Sequence, residues 1–213
     1  VNVIVLDKML EREDDKVKLN EFVKGLADGK LASKMPDGLL IRAMDQEVDI
    51  KVMLEKVNTN SFTIEQLAEA HAHAHARADV DGKAAIIELS LEKFDEVMSG
   101  KNPFRDEEVT QTFEKIAEMD PDELRDHLSK IDSNTLQASP ILLDLALANT
   151  DIGIDVILGR ADANTFTPER LENVHGKATT KGKKSIVDFS KKSFEKLLDK
   201  DPMSPEELEQ FSK

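Results

Sequence analysis

The chain contains no cysteine, no tryptophan and no tyrosine. Without a thiol there is no disulfide, no thiolate metal site and no cysteine nucleophile, and a reducing, cytoplasmic location is compatible. Aromatic residues make up 4% of the chain and all nine are Phe. That scarcity argues against a β-sandwich, which draws on Tyr, Trp and β-branched residues, and in favour of helix-on-helix packing. Positive charge is also short: 29 Lys and Arg stand against 43 Asp and Glu, a formal net charge of -14. General nucleic-acid binding needs clustered cations to neutralise phosphates, so that class is disfavoured, as is an anionic membrane surface. No run approaches the roughly 18 to 20 apolar residues of a membrane span. No secretory apolar region stands at the start either, although the chain opens at Val1 and an upstream targeting signal is not readable from it.

What the chain does contain is a duplication. Leu54 to Leu67 aligns without a gap on Leu158 to Leu171 at an offset of 104, with six identical positions, among them Asn60 and Asn164, Phe62 and Phe166, and Thr63 and Thr167. Further on, Gly82-Lys83, Ile86, Ser90 and Phe94 meet Gly182-Lys183, Ile186, Ser190 and Phe194 at an offset of 100, so the first copy carries four extra residues between the two blocks. Self-similarity of this kind belongs to repeat architectures, in which each unit buries its apolar face by stacking on its neighbour. Matched core sites are therefore expected for Leu54 and Leu158, Phe62 and Phe166, and Phe94 and Phe194. Two regions follow, 1–118 with an N-terminal helix and 119–213.

Apolar residues recur at spacings of three and four, which predicts an all-α fold. Segments are expected over 3–13, 17–26, 39–44, 48–57, 64–78, 84–98 and 107–119, then over 121–131, 140–148, 152–160, 168–174, 185–199 and 205–212. Asp120-Pro121, Thr167-Pro168 and Ser204-Pro205 each place a capping side chain before a first-turn proline, with carboxylates following at the positive end of the helix dipole. Gly25, Gly29, Gly38, Gly82, Gly100 and Gly182 fall at segment ends, where a left-handed residue lets a helix stop.

From Pro140 to Asn164 the chain opens a short Leu- and Ala-rich helix at a proline, turns, continues with an Ile-, Val- and Leu-rich helix and exits through Ala161-Asp162-Ala163-Asn164. This resembles an ankyrin repeat, and Pro36 to Asn60 has the same length and pattern. Departures are clear: no His follows the proline as the Thr-Pro-Leu-His signature requires, Asn149-Thr150 lacks the usual turn glycine, and a period of about 33 is not kept. A degenerate ankyrin-like array, another α-solenoid and two helical bundles all stay open. The resemblance implies a protein-interaction scaffold, and degenerate ankyrin-like proteins include bacterial effectors that bind host proteins in the host cytosol.

Two stretches resemble metal ligands. In Ala70-His71-Ala72-His73-Ala74-His75-Ala76, His71 and His75 are one helical turn apart, a spacing suited to Zn or Ni, but no third ligand accompanies them and no zincin glutamate lies between them. The plainer reading is an Ala-rich solvated extension of a helix. Asp79, Asp81, Gly82 and Glu88 fall on positions 3, 5, 6 and 12 of a calcium loop whose position 1 is Arg77, a cation where a carboxylate belongs, and the second copy offers Lys177, Thr179 and Lys181 there. A helix-to-helix turn through Gly82 explains the same letters. There is no phosphate loop, no nucleophile elbow and no cofactor motif, so an enzyme with a carboxylate or His site, like a Zn or Ca sensor, stands only as an alternative.

Charge is distributed unevenly. Asp106 to Asp126 holds nine carboxylates against Lys115 and Arg125, whereas Lys177 to Lys192 holds six lysines against Asp188. The sequence reading is thus a scaffold that binds an acidic protein surface through His175, Lys177, Lys181, Lys183 and Lys184, where the copies diverge. The two oppositely charged stretches would also suit a head-to-tail homo-oligomer.

Overall fold

The computed structural model describes residues 2–12, 16–26, 34–100, 105–150 and 152–198. Among these residues there are helices and no strand. The chain divides into two compact units, one of Val1–Val97 with Gln111–Asp120, the other of Met98–Thr110 with Pro121–Lys213. The expected helix over 205–212 and its Ser204-Pro205 cap lie outside the described residues, as does Gly29.

The first unit begins with α1 (Asn2–Arg12) and α2 (Lys16–Lys24), followed by two short helices, α3 (Leu39–Asp45) and α4 (Ile50–Leu54). A 3₁₀ turn at Thr59–Ser61 leads into α5 (Ile64–Ala76) and the long α6 (Val80–Ser99), and most of α7 (Arg105–Met119) completes the unit. Packing runs α1 on α2 and α3, α2 and α3 on α4, and α3 on α5. Leu6, Leu19, Leu39, Met53, Leu67, Ile86, Phe94 and Phe113 are fully buried in it. Phe94 and Phe113 meet with ring centroids 6.3 Å apart, a tilted pairing that adds to the burial of two large apolar side chains.

The second unit holds α8 (Pro121–Leu128), α9 (Ser133–Ala138), α10 (Ile141–Ala148), α11 (Ile154–Arg160), α12 (Pro168–Lys177) and α13 (Thr180–Leu198). Here α10 packs on α11 and α12, α11 on α8 and α13, and α12 on α13. Its interior is mostly aliphatic, built on Leu124, Leu128, Leu142, Leu143, Ile157 and Val174, with Phe166 and Phe189 also buried.

Aligned positions make the same local contacts in the two units. Thr63 accepts from the Gln66 backbone N–H and Thr167 from that of Arg170, each capping the helix that follows. The residue capped then reaches back to the preceding helical hairpin: Gln66 Nε2 donates to the Met35 carbonyl and Asp37, Arg170 to the Pro140 carbonyl and Asp144. In the turns, Asn58 N–H donates to Ser61 Oγ and Asp162 N–H to Thr165 Oγ1. Phe62 and Phe166 are both buried, as are Leu54 and Leu158.

Several expectations need correction. Phe94 is buried but Phe194 keeps 42% of its surface. Phe113 of α7 lies against Phe94, whereas the described residues end with α13. The long helices start at Val80 and Thr180, four or five residues before the expected Ala84 and Ser185, because Asp79 and Thr179 cap them by accepting from the backbone N–H of Gly82 and Gly182. Both glycines therefore sit in a first helical turn and are not left-handed stops; the left-handed residue before α6 is Ala78, at φ 56°. The turn glycine missing at Asn149-Thr150 is supplied by Gly153, at φ 71°, just before α11. Finally, α5 and α6, of 13 and 20 residues, fill a whole ankyrin period of about 33 by themselves.

Candidate functional site

The clearest difference between the two copies lies along their long helices. With α6 and α13 aligned at the offset of 100, the apolar stripe is kept at Ile86 and Ile186 and at Leu89 and Phe189, all buried. On the exposed side the charge inverts, with Asp81, Glu92 and Glu96 answered by Lys181, Lys192 and Lys196. Ala84 and Leu91 become Lys184 and Lys191 as well. Period 3.6 places these positions on the solvent side of the same helix, so α13 carries a basic face broken by Asp188 and Glu195, which stay acidic as Glu88 and Asp95 are in the first copy.

Of the residues singled out from sequence, Lys177, Lys181 and Lys184 are exposed on or beside this face, while His175 and Lys183 are half-buried. Lys181 Nζ lies 3.6 Å from Asp155 Oδ2, which Arg125 also approaches at 3.5 Å. Lys191, Lys192 and Lys196 belong to the same face. Sequence reasoning stopped at Lys192 and missed Lys196; the signal available was the Glu-to-Lys exchange at the aligned position.

Lys196 also lines an open groove of about 410 Å³. Its other walls come from Ser133, Asn134 and Gln137 of α9 and from the turn holding Asp162 and Asn164. The aligned turn of the first copy is closed instead. There the Thr59 hydroxyl and the Asn60 side-chain amide, the latter at 2.6 Å, both donate to the Glu96 carboxylate, and Lys93 Nζ donates to the Thr59 carbonyl at 3.3 Å. The Thr59 hydroxyl is the main reason the Glu96 carboxyl is held below the usual glutamate range; burial opposes it, and Asn60 and Lys93 reinforce it.

The metal candidates do not converge. His71 is buried and its Nε2 has no hydrogen-bond partner, so the helix extension is not merely solvated: Ala70, His71 and Ala74 form an inward face. Burial pushes the His71 pKa down, with a smaller contribution from the Lys83 ammonium. His75 is exposed, and its Nδ1 lies 3.5 Å from Lys83 Nζ, a cation where a metal would have to sit. His73 faces Asp45 at 3.0 Å, and Arg77 approaches the same carboxylate oxygen at 3.0 Å. Asp79 is occupied as the cap of α6, and Asp81 and Glu88 are exposed along that helix. Among the described residues no group of three His, Asp or Glu side chains is placed to hold a metal.

No helix among the described residues is long and apolar enough to cross a membrane. In comparison with known proteins, no family model, no curated protein and no solved structure matches this chain.

Proposed function

We propose that the chain is a tandemly duplicated helical scaffold, of ankyrin-like or other α-solenoid type, that binds an acidic protein partner through the basic face of α13. The observation that carries this reading is the inversion of charge at aligned exposed positions while the aligned buried positions stay apolar. A fold needs its core positions and tolerates most surface exchange, so a one-signed change concentrated on a single helix face is a mark of recognition rather than of packing. In a chain of net charge -14, such a face also draws an acidic surface while the remainder repels it, which gives orientation and raises the association rate.

The same charge separation supports the oligomer reading, in which the acidic stretch of one copy is the partner of α13 in another. Delivery into a host cytosol rests on the ankyrin resemblance alone.

The test is the triple variant Lys181→Glu, Lys184→Glu and Lys192→Glu. These side chains are exposed, so folding should survive, exposed charges contributing little to stability. Partners captured by the wild-type chain should be lost or weakened at least tenfold, and the salt dependence of binding should flatten. Sedimentation velocity at low and high salt separates a self-partner from a foreign one. Unchanged capture by the triple variant would exclude α13 as the binding face.

A further inference from the structure

We infer that the groove beside Lys196 receives a carboxylate side chain of the partner, in the place that Glu96 fills from within in the first copy. The inference rests on α13 being the partner-facing helix, and it names the chemistry of one subsite on it.

The first copy is the template. Its turn presents two donors, the Thr59 hydroxyl and the Asn60 amide, to a carboxylate in the last turn of the following long helix, with Lys93 tying down the turn carbonyl. In the second copy the amide is kept as Asn164, but the internal carboxylate is replaced by Lys196. The other two parts are also gone: Ala163 stands for Thr59, and Ser193 stands for Lys93 with its hydroxyl buried and unbonded. The aligned turn thus keeps a carboxylate-binding amide, loses the carboxylate that would close it, and gains an ammonium beside an open groove of about 410 Å³. Side-chain amides of Asn134 and Gln137 add neutral donors along the wall, while the Ser133 hydroxyl is engaged with the Asp162 N–H and Thr165 Oγ1. A carboxylate is the ligand that an ammonium and several N–H donors recognise together. One group opposes it: Asp162 also lines the groove, where the first copy has the neutral Asn58.

The probe is an acetylated, amidated hexaglutamate peptide, with hexaglutamine as control, titrated into the full chain and followed by ¹H–¹⁵N NMR. Hexaglutamate should shift the Asn164 side-chain amide, and hexaglutamine should not. Asn164→Ala leaves the net charge unchanged, and the backbone φ there is not in the left-handed region; it should weaken binding at least threefold. Asp162→Asn, the residue of the first copy, should tighten it. Installing the internal latch with Ala163→Thr and Lys196→Glu should abolish the Asn164 shift. Wild-type affinity in Asn164→Ala, or an Asn164 amide unmoved at saturation, would overturn the proposal. The two readings fail separately. If the Lys181, Lys184 and Lys192 variant keeps its captured partner while Asn164→Ala loses it, the face is wrong and the groove stands. The reverse result removes the groove and leaves the face.

Discussion

Phe166 and Phe189 meet edge to face in the second unit, with ring centroids 6.3 Å apart and planes inclined at 63°. Phe166 follows the turn that precedes α12, and Phe189 lies on the inward stripe of α13, so the pair fastens the turn to the long helix. Both are buried. Phe166→Ala and Phe62→Ala should each cost about 3–5 kcal/mol of unfolding free energy, the range for truncating a buried Phe. Phe194→Ala should cost far less, because Phe194 keeps 42% of its surface. Urea unfolding of the three variants checks the order. Equal losses at Phe166 and Phe194 would contradict the packing of α13.

His71 gives the chain a pH dependence whose sign is fixed by burial. Its folded pKa is lowered from 6.5 chiefly by desolvation, with Lys83 and His75 adding and Asp120 opposing. The unfolded state then binds more protons as pH falls past the ordinary histidine range. The contribution is therefore complete above about pH 6.5 and is lost as pH falls through the folded pKa. His71→Leu should flatten the urea midpoint between pH 7.5 and pH 5 relative to wild type. An unchanged pH profile in this variant would show that His71 is not buried in its neutral form.

The all-helical class, the Thr167 cap and the burial of Phe62 and Phe166 were legible because they depend on spacing and on local hydrogen bonds; the matching Thr63 cap was missed, having no proline after it. The starts of α6 and α13 were misread because Gly82 and Gly182 look like stops. The decisive signals were Asp79 and Thr179 three residues earlier, whose side chains cap the first turn. Helix α9 went unseen because six residues are too few to show a 3.6 period, although Asp132 caps it by accepting from Asn134 and Thr135. The Glu96 latch was not legible at all. It joins Asn60 to a residue 36 positions away, and only the fold brings the two together.

Metal should leave stability unchanged. His71 faces the interior, His75 has the Lys83 ammonium beside it, and Asp79 already caps α6. Thermal midpoints with chelator, Ca or Zn should coincide, since a metal bound only by the native state would raise the midpoint by mass action. A rise of several degrees with micromolar Zn or Ca would revive the sensor reading.

The aligned glycines of the long helices should respond differently to the same substitution. A Cβ at Gly82 would come within 2.2 Å of Asp79 Oδ2, the mobile end of a side chain that can swing away at the cost of its cap, roughly 1 kcal/mol. Alanine returns a helix-propensity gain of similar size, so Gly82→Ala should be close to neutral. At Gly182 the new Cβ would sit 2.9 Å from Ile154 Cδ1 and 3.1 Å from Ala178 Cβ. Ala178 has no rotamer to change and Ile154 is buried in the α11 side of the core, so the strain must be taken by the backbone. Overpacking costs about 1–3 kcal/mol and the same propensity gain of about 1 kcal/mol offsets part of it, so Gly182→Ala should be net destabilising by about 1–2 kcal/mol. Chemical denaturation of the two variants decides the matter, and a neutral Gly182→Ala would mean that α11 and α13 are held less closely than their side chains indicate.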